Sequence, residues 1–557
     1  MNPLFRPDGL SASPPMRTQS GLAASRLTLA RMKPTITKHQ RMRNTGRPGR
    51  WERPLTSGVA RQARIGDGAI GSTPASGAGN LGSSPGPRAN PLVSANLADI
   101  PRHQGALEVT PVEARPQRHL ASARILLALG IALRIVVFWF LDPLNNDVGH
   151  LDVIKYIVEH RALPAALASF ESYQPPLYYL LAAPIYAVSG NVKWVQFLSL
   201  FFSALTLLVI YRLLYAGKFL ADARAGRYAF VMACFLPQFV MFGLYVSNDS
   251  LAVLIGALIV LQVVRFVATP RIWQGVLLAL LVSLGLLTKA TFLVFLPALF
   301  VLVAFVYSRS GYSTQKALAA ALLLSLLAGG LGSWRFVQNY REVRNPFVSN
   351  LDSGRPWMIA QQSSYRGAAS FFDVNLWKLL RSPSVSPKTA GAYPLLLYGT
   401  FWYQHIPESN FLGSGSYPFY YLGSVIYVLA LAPSLVFLFG LFLMAKRLAR
   451  FVTARDLSLE EDRRLLADFV AVLFLFGNLA LILAVALKYH VWTLMQGRLL
   501  FPSFCGLLAP FGVGVSALGD RGPAASILNV AMAALVACFC LYFASEISNQ
   551  VFGWPCF

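Results

Sequence analysis

The segment Asn145-Asn146-Asp147-Val148-Gly149-His150-Leu151-Asp152 follows the first apolar stretch of the chain, and Glu171-Ser172-Tyr173-Gln174-Pro175-Pro176 is the next acid-bearing loop. Acids are scarce elsewhere in the membrane part of the chain, and ionisable groups at a membrane face are costly, so they usually persist because they do chemistry or bind something. Asp147 could act as a general base toward a hydroxyl or hold a cation. His150, three residues on, could share that site or be a plain interface residue. The competing reading makes Asn146 or Asp147 a helix cap, because Leu151, Ile154 and Val158 recur with helical spacing and predict a short interfacial helix. Glu171 is either a second carboxylate fixed beside the first or a solvated loop acid. Pro175-Pro176 forbids helix at that point and holds the preceding residues extended, which defines where the chain re-enters the membrane.

Four further polar segments interrupt apolar runs: Ser247-Asn248-Asp249, Thr288-Lys289, Trp334-Arg335 with Asn339-Tyr340, and Gln496-Gly497-Arg498. Asn248 or Asp249 is a natural cap. Lys289 and Arg498 could be snorkelling anchors. Placed on the acidic side, however, they oppose the usual distribution of positive charge and suggest a negative ligand. A phosphate fits best, since arginine grips it with two parallel hydrogen bonds.

The elements that must position these residues are apolar helices. The 557 residues are 55% hydrophobic and 13% charged, with mean hydropathy +0.52, which excludes a soluble protein. Apolar segments fall at 121–141, 177–189, 192–212, 227–246, 250–268, 272–288, 290–307, 315–334, 418–445, 466–487, 498–517 and 523–545. Basic clusters at Arg212 to Arg227, Arg265 with Arg271, Arg309 with Lys316, and Lys446 to Arg450 face the cytoplasm if positive charge stays inside. That sidedness requires an odd number of crossings between 175 and 212. Residues 177–189 reach only about 20 Å as a helix, so they are expected to be interfacial or re-entrant. The expected fold is all-α and polytopic, with eleven crossings and one short helix. Loops 142–176, 247–249, 288–290, 335–417 and 488–498 then share the outer face, the N-terminus being cytoplasmic.

The formal charge of +24 does not imply nucleic acid. Residues 1–120 hold seventeen Lys and Arg against six Asp and Glu, nearly half the excess, in a stretch rich in Pro, Gly, Ser and Ala. This stretch is expected to be a disordered basic tail, touching anionic lipid or arising from a start codon assigned too far upstream. The domains read as this tail, a first helical module at 121–334, a large outer loop at 335–417 and C-terminal helices at 418–557. In the large loop, Phe372 to Leu380 has helical apolar spacing and Tyr398 to His405 is dense in aromatics, suiting a lid over lipid or sugar, or plain packing. Cys234, Cys505, Cys538, Cys540 and Cys556 show no metal-ligand or disulfide spacing. No internal repeat supports a transporter, and the helix interiors are nearly free of the polar residues a path would need.

Taken together, Asp147 with His150 and Tyr156, Glu171 ahead of Gln174-Pro175-Pro176-Leu177-Tyr178-Tyr179, Ser247-Asn248-Asp249, Thr288-Lys289 and Gln496-Gly497-Arg498-Leu499-Leu500-Phe501-Pro502 resemble the GT-C superfamily of polytopic glycosyltransferases. Within it, the bacterial branch similar to protein mannosyltransferases and the lipid A aminoarabinose transferase is nearest. The resemblance covers about 121–520. It implies an inverting transfer of a hexose or pentose from a polyprenyl-phosphate donor to a hydroxyl of a lipid, glycan or protein, outside the inner or plasma membrane. Asp147 and Glu171 would be catalytic, and His150, Tyr156, Gln174, Asn248, Asp249, Lys289, Gln496 and Arg498 would bind substrate. Many relatives carry two adjacent acids where Asn146-Asp147 stands, so a metal is possible but metal-independent chemistry is favoured. Relatives often have Tyr at Leu499. The rival classes are a transporter or flippase of lipid-linked glycans, a non-catalytic membrane protein, and a ligase or polymerase using lipid-linked glycans.

Overall fold

Alternation of long apolar runs with short polar breaks produces helices only. The computed structural model describes residues 114–144, 149–217, 219–220, 222–353, 367–383, 389–403, 420–453, 459–520 and 522–552, which contain no strand. The N-terminal part is α1 (Ala114–Phe140), α2 (Gly149–His160), α3 (Leu177–Ser189), α4 (Val192–Tyr211), α5 (Ala223–Phe235) and α6 (Pro237–Phe242). There follow α7 (Asp249–Ala268), α8 (Ile272–Leu286), α9 (Phe295–Arg309), α10 (Thr314–Gly332) and α11 (Trp334–Val343). The remainder is α12 (Leu376–Arg381), α13 (Tyr393–Trp402), α14 (Tyr420–Thr453), α15 (Leu459–Tyr489), α16 (Phe504–Leu518) and α17 (Pro523–Phe552). All lie in one unit, Gly105–Phe557.

Among the described residues nine helical segments are long and apolar enough to cross a membrane, against the eleven expected. The chain is thus a multi-pass membrane protein. The two differences have local causes. The expected crossing at 227–246 is cut after Phe235, because Pro237 cannot continue the hydrogen-bond ladder and biases Leu236 away from helix. The expected crossing at 272–288 is a helix of 15 residues, about 22 Å long. The short segment at 177–189 is a helix of 13 residues.

Burial sorts the crossings into an inner pair and an outer ring. The central window of α7 is 78% buried, as is that of the segment Gly497–Leu518, whereas that of α1 is 22% buried. A helix apolar all round belongs in the interior, and one exposing Ile125, Leu129 and Trp139, as α1 does, faces lipid. The inner pair meets very closely: a Cβ on Gly256 of α7 would fall on the backbone of Pro502, so only glycine lets these backbones touch. That contact sets the distance between the start of α7 and Arg498.

One charged side chain does sit inside the helix packing. Arg134 of α1 is completely buried. Its guanidinium donates to Ser203 Oγ at 2.9 Å and to the carbonyls of Gly130, Cys234 and Ala233 at 3.1, 2.9 and 2.8 Å. It ties α1 to α4 and to the end of α5, where the approach of Pro237 releases carbonyls from the helix ladder. Its donors meet backbone acceptors, so it is a staple and lines no path.

Candidate active site

The polar breaks identified in the sequence come together at one end of α7. Asn248 and Asp249 begin that helix, but neither serves as its cap: Asn248 occupies the cap position without a side-chain cap bond. Its Nδ2 instead donates to Gln174 Oε1 and to the Thr288 carbonyl, each at 3.0 Å. Gln174 Nε2 in turn donates to Glu171 Oε2 at 2.7 Å. Two loops separated by more than a hundred residues are therefore joined through a single amide side chain.

Asp249, next along, is buried and paired with two cations. Its Oδ1 accepts from Lys289 Nζ, and Arg498 Nη1 lies 3.4 Å from Oδ2. Arg498 also donates from Nε to Gln496 Oε1 and stands over the Phe242 ring, 4.3 Å from its centroid. Burying a carboxylate is tolerable only with such compensation. The two cations bring two positive charges to one negative. A quarter of the Arg498 side chain is exposed, against about a tenth for Lys289. Arg498 is the member of the trio that an external anion can reach.

His150 is buried on α2, its Nδ1 2.8 Å from the Tyr179 hydroxyl, and lies close enough to Asp249 for their charges to interact. The loop carrying Glu171 is held from beneath. Arg335 of α11 donates to the carbonyls of Ser172 and Pro164, and Asn339 Nδ2 donates to the Tyr173 carbonyl at 3.1 Å. Glu342 Oε2 accepts from the Ala166 backbone at 2.7 Å. Burial lowers the pKa of the Arg335 guanidinium, which Glu342 partly offsets. On the far side, Gly497 N donates to Thr400 Oγ1 at 2.6 Å, and a Cβ on Gly497 would strike the Phe401 backbone. The helix Tyr393–Trp402 is thereby fastened against the Arg498 segment.

The structure thus brings together Glu171, Gln174, Asn248, Asp249, Lys289, Gln496 and Arg498, with His150 at their edge. Tyr156 takes another course: it stacks on His160 along α2, ring centroids 4.1 Å apart. Asp147, with Asn145, Asn146 and Val148, lies outside the described residues, as do Gln404, His405 and the proposed tail up to residue 113. Sequence reasoning left out Arg335, Asn339, Tyr179 and Phe242. Arg335 and Asn339 stand in a segment singled out for its polarity and Tyr179 in a motif that carries the family resemblance; nothing local marks Phe242.

Residues 173–331 match the family model of dolichyl-phosphate-mannose-protein mannosyltransferases. Over that segment, which holds Gln174, Asn248, Asp249 and Lys289, the resemblance to GT-C glycosyltransferases stands. No curated protein matches the chain. Among solved structures the chain is similar to the Archaeoglobus fulgidus oligosaccharyltransferase in the apo form, at 15% identity and TM-score 0.39, covering 77% of this chain and 56% of that one. It is also similar to AglB from the same organism in complex with an inhibitory peptide and a dolichol-phosphate, at 13% identity and TM-score 0.41, covering 78% and 56%. A third is ArnT from Cupriavidus metallidurans bound to undecaprenyl phosphate, at 16% identity and TM-score 0.33, covering 72% and 78%. The chain spans little more than half the length of the archaeal proteins.

Proposed function

We propose that the chain is a membrane glycosyltransferase that moves a sugar from a polyprenyl-phosphate donor to an acceptor hydroxyl on the extracytoplasmic face of a bacterial inner or plasma membrane. The observation that carries this reading is the Lys289–Asp249–Arg498 trio, hydrogen-bonded at one side into the Gln174–Glu171 loop through Asn248. In the reaction the acceptor oxygen attacks the anomeric carbon. The new bond forms to that oxygen as the bond from the anomeric carbon to the phosphate oxygen breaks. Asp147 takes the hydroxyl proton, and inversion at the anomeric carbon follows from a single displacement. The leaving polyprenyl phosphate gains charge, which Arg498 and Lys289 neutralise; preorganised groups of this kind are among the largest contributors to catalysis.

Asp249 has a defined part in this scheme. Without donor it holds both cations in place and makes their burial tolerable. With donor, a phosphate oxygen takes over part of the Arg498 fork, whose contact to Asp249 is the longer of the two. Glu171, fixed by Gln174, orients the sugar, and His150 and Gln496 complete its surroundings. Asn146 stands where many relatives carry a second acid beside Asp147, so metal-independent chemistry is the favoured reading; at Asp249 a divalent cation would have to displace Lys289 or Arg498. The acceptor is a lipid, glycan or protein hydroxyl, and the apolar outer ring accommodates the donor's isoprenoid tail.

The test is incubation of purified protein with a panel of radiolabelled polyprenyl-phosphate sugars, following which label moves and to what. Transfer by the wild type and its loss in Asp147→Asn, with normal membrane insertion, is expected. Full retention of transfer by Asp147→Asn removes that residue from the catalytic role.

A further inference from the structure

At the start of α5 a second polar cluster lies against α1 and α17. A cavity of about 400 Å³ is lined by Leu126 of α1, by Arg224, Arg227, Tyr228 and Val231 of α5, and by Asn529 of α17. Its volume falls in the range of sites that hold small ligands. The α5 residues follow helical spacing, so they form one stripe that grades from two guanidinium groups to an apolar side chain. Leu126 continues the apolar part.

The charges in this cavity are poorly balanced from within. Arg224 Nη2 donates to the Val515 carbonyl at 2.9 Å and lies 3.8 Å from Asp520, whose side chain is 88% exposed and therefore a weak partner. Arg224 Nε is buried and has no hydrogen-bond partner among the described residues. Asp222 spends its carboxylate on the helix start, accepting from the backbone of Arg224 and Ala225 at 2.7 and 3.3 Å. Tyr228 donates to Asn529 Oδ1, which closes one wall. An orphaned buried N–H carries a desolvation cost that an arriving acceptor would recover, and a second, exposed arginine stands beside it. With an apolar wall next to that acceptor, the ligand has a charged head and a greasy tail.

We propose that this cavity binds the phosphate of an anionic phospholipid, its acyl chain lying along Leu126 and Val231. It is a site separate from the proposed donor site and shares no residue with it. Arg224 supplies the oriented N–H groups and Arg227 the second charge. Basic groups at a bilayer surface each strengthen such binding by roughly fivefold.

The experiment is native mass spectrometry of the full chain in detergent, titrated with phosphatidylglycerol, with phosphatidylcholine of the same acyl chains, and with inorganic phosphate. One phosphatidylglycerol adduct that outlasts the phosphatidylcholine adducts is expected. Arg224→Gln and Arg227→Gln should each weaken it about fivefold, and the double variant about 25-fold. Equal binding of the two lipids by the wild type overturns the proposal without any variant being needed. Undiminished phosphatidylglycerol binding by a folded double variant also overturns it. Tight binding of inorganic phosphate with no preference for lipid would show an anion site and sink the lipid assignment.

Discussion

Two arginines inside the bundle, Arg134 and Arg498, are held by different means. Arg134 meets a serine and three backbone carbonyls, all neutral and fixed by the helices that carry them. Arg498 meets a carboxylate it shares with Lys289, an amide oxygen and an aromatic face, and a quarter of it is exposed. A cation satisfied by neutral acceptors has nothing to exchange, so it holds helices together. One that shares an anion with a second cation can trade that anion for another. The difference separates a staple from a binding group, although both residues look alike as lone charges in apolar sequence.

Substitutions at the two ends should break differently. The largest effect is expected from Arg498→Ala, which should lower kcat for sugar transfer by about 10² to 10³-fold while the protein inserts and elutes normally. Arg134→Leu should do the reverse. It orphans carbonyls at the α1–α5 contact and should cost about 2–4 kcal/mol, read as a lower midpoint of thermal unfolding in detergent, with transfer per folded molecule preserved. Asp249→Asn lies between these, since it leaves Lys289 and Arg498 facing each other uncompensated. A loss of stability of about 1–3 kcal/mol and a raised KM for the donor are expected from thermal melts and initial rates. The smallest effect belongs to Asn248→Ala, which disconnects Gln174 from Thr288 and should cost about 1 kcal/mol, seen as a modest rise in KM.

Much of this site could be read in the sequence because polar residues stand out where apolar runs break. Asn248-Asp249, Thr288-Lys289 and Gln496 to Arg498 were visible for that reason, and the helical character of the chain followed from the same contrast. What could not be read was their pairing. Asp249 and Arg498 are 249 positions apart, and no local pattern says that one carboxylate serves both cations. The break in the expected crossing at 227–246 was written as Leu236-Pro237 but hidden by unbroken hydropathy, which registers apolar character and ignores a missing donor. In the sequence Arg335 stands out only as part of a polar break between apolar runs. Its work on the carbonyls of Ser172 and Pro164 depends on α11 folding back beneath residues 164–173, which composition does not foretell.

The most direct measurement is the affinity of purified protein for a polyprenyl phosphate, in the wild type and in Arg498→Gln with Lys289→Gln. If these cations hold the leaving phosphate, the double variant should bind about 10² to 10⁴-fold more weakly, since each of the two charge-assisted hydrogen bonds contributes about 1.5–3 kcal/mol. Unchanged affinity in a correctly folded double variant would contradict the assignment of Lys289 and Arg498 to the donor phosphate.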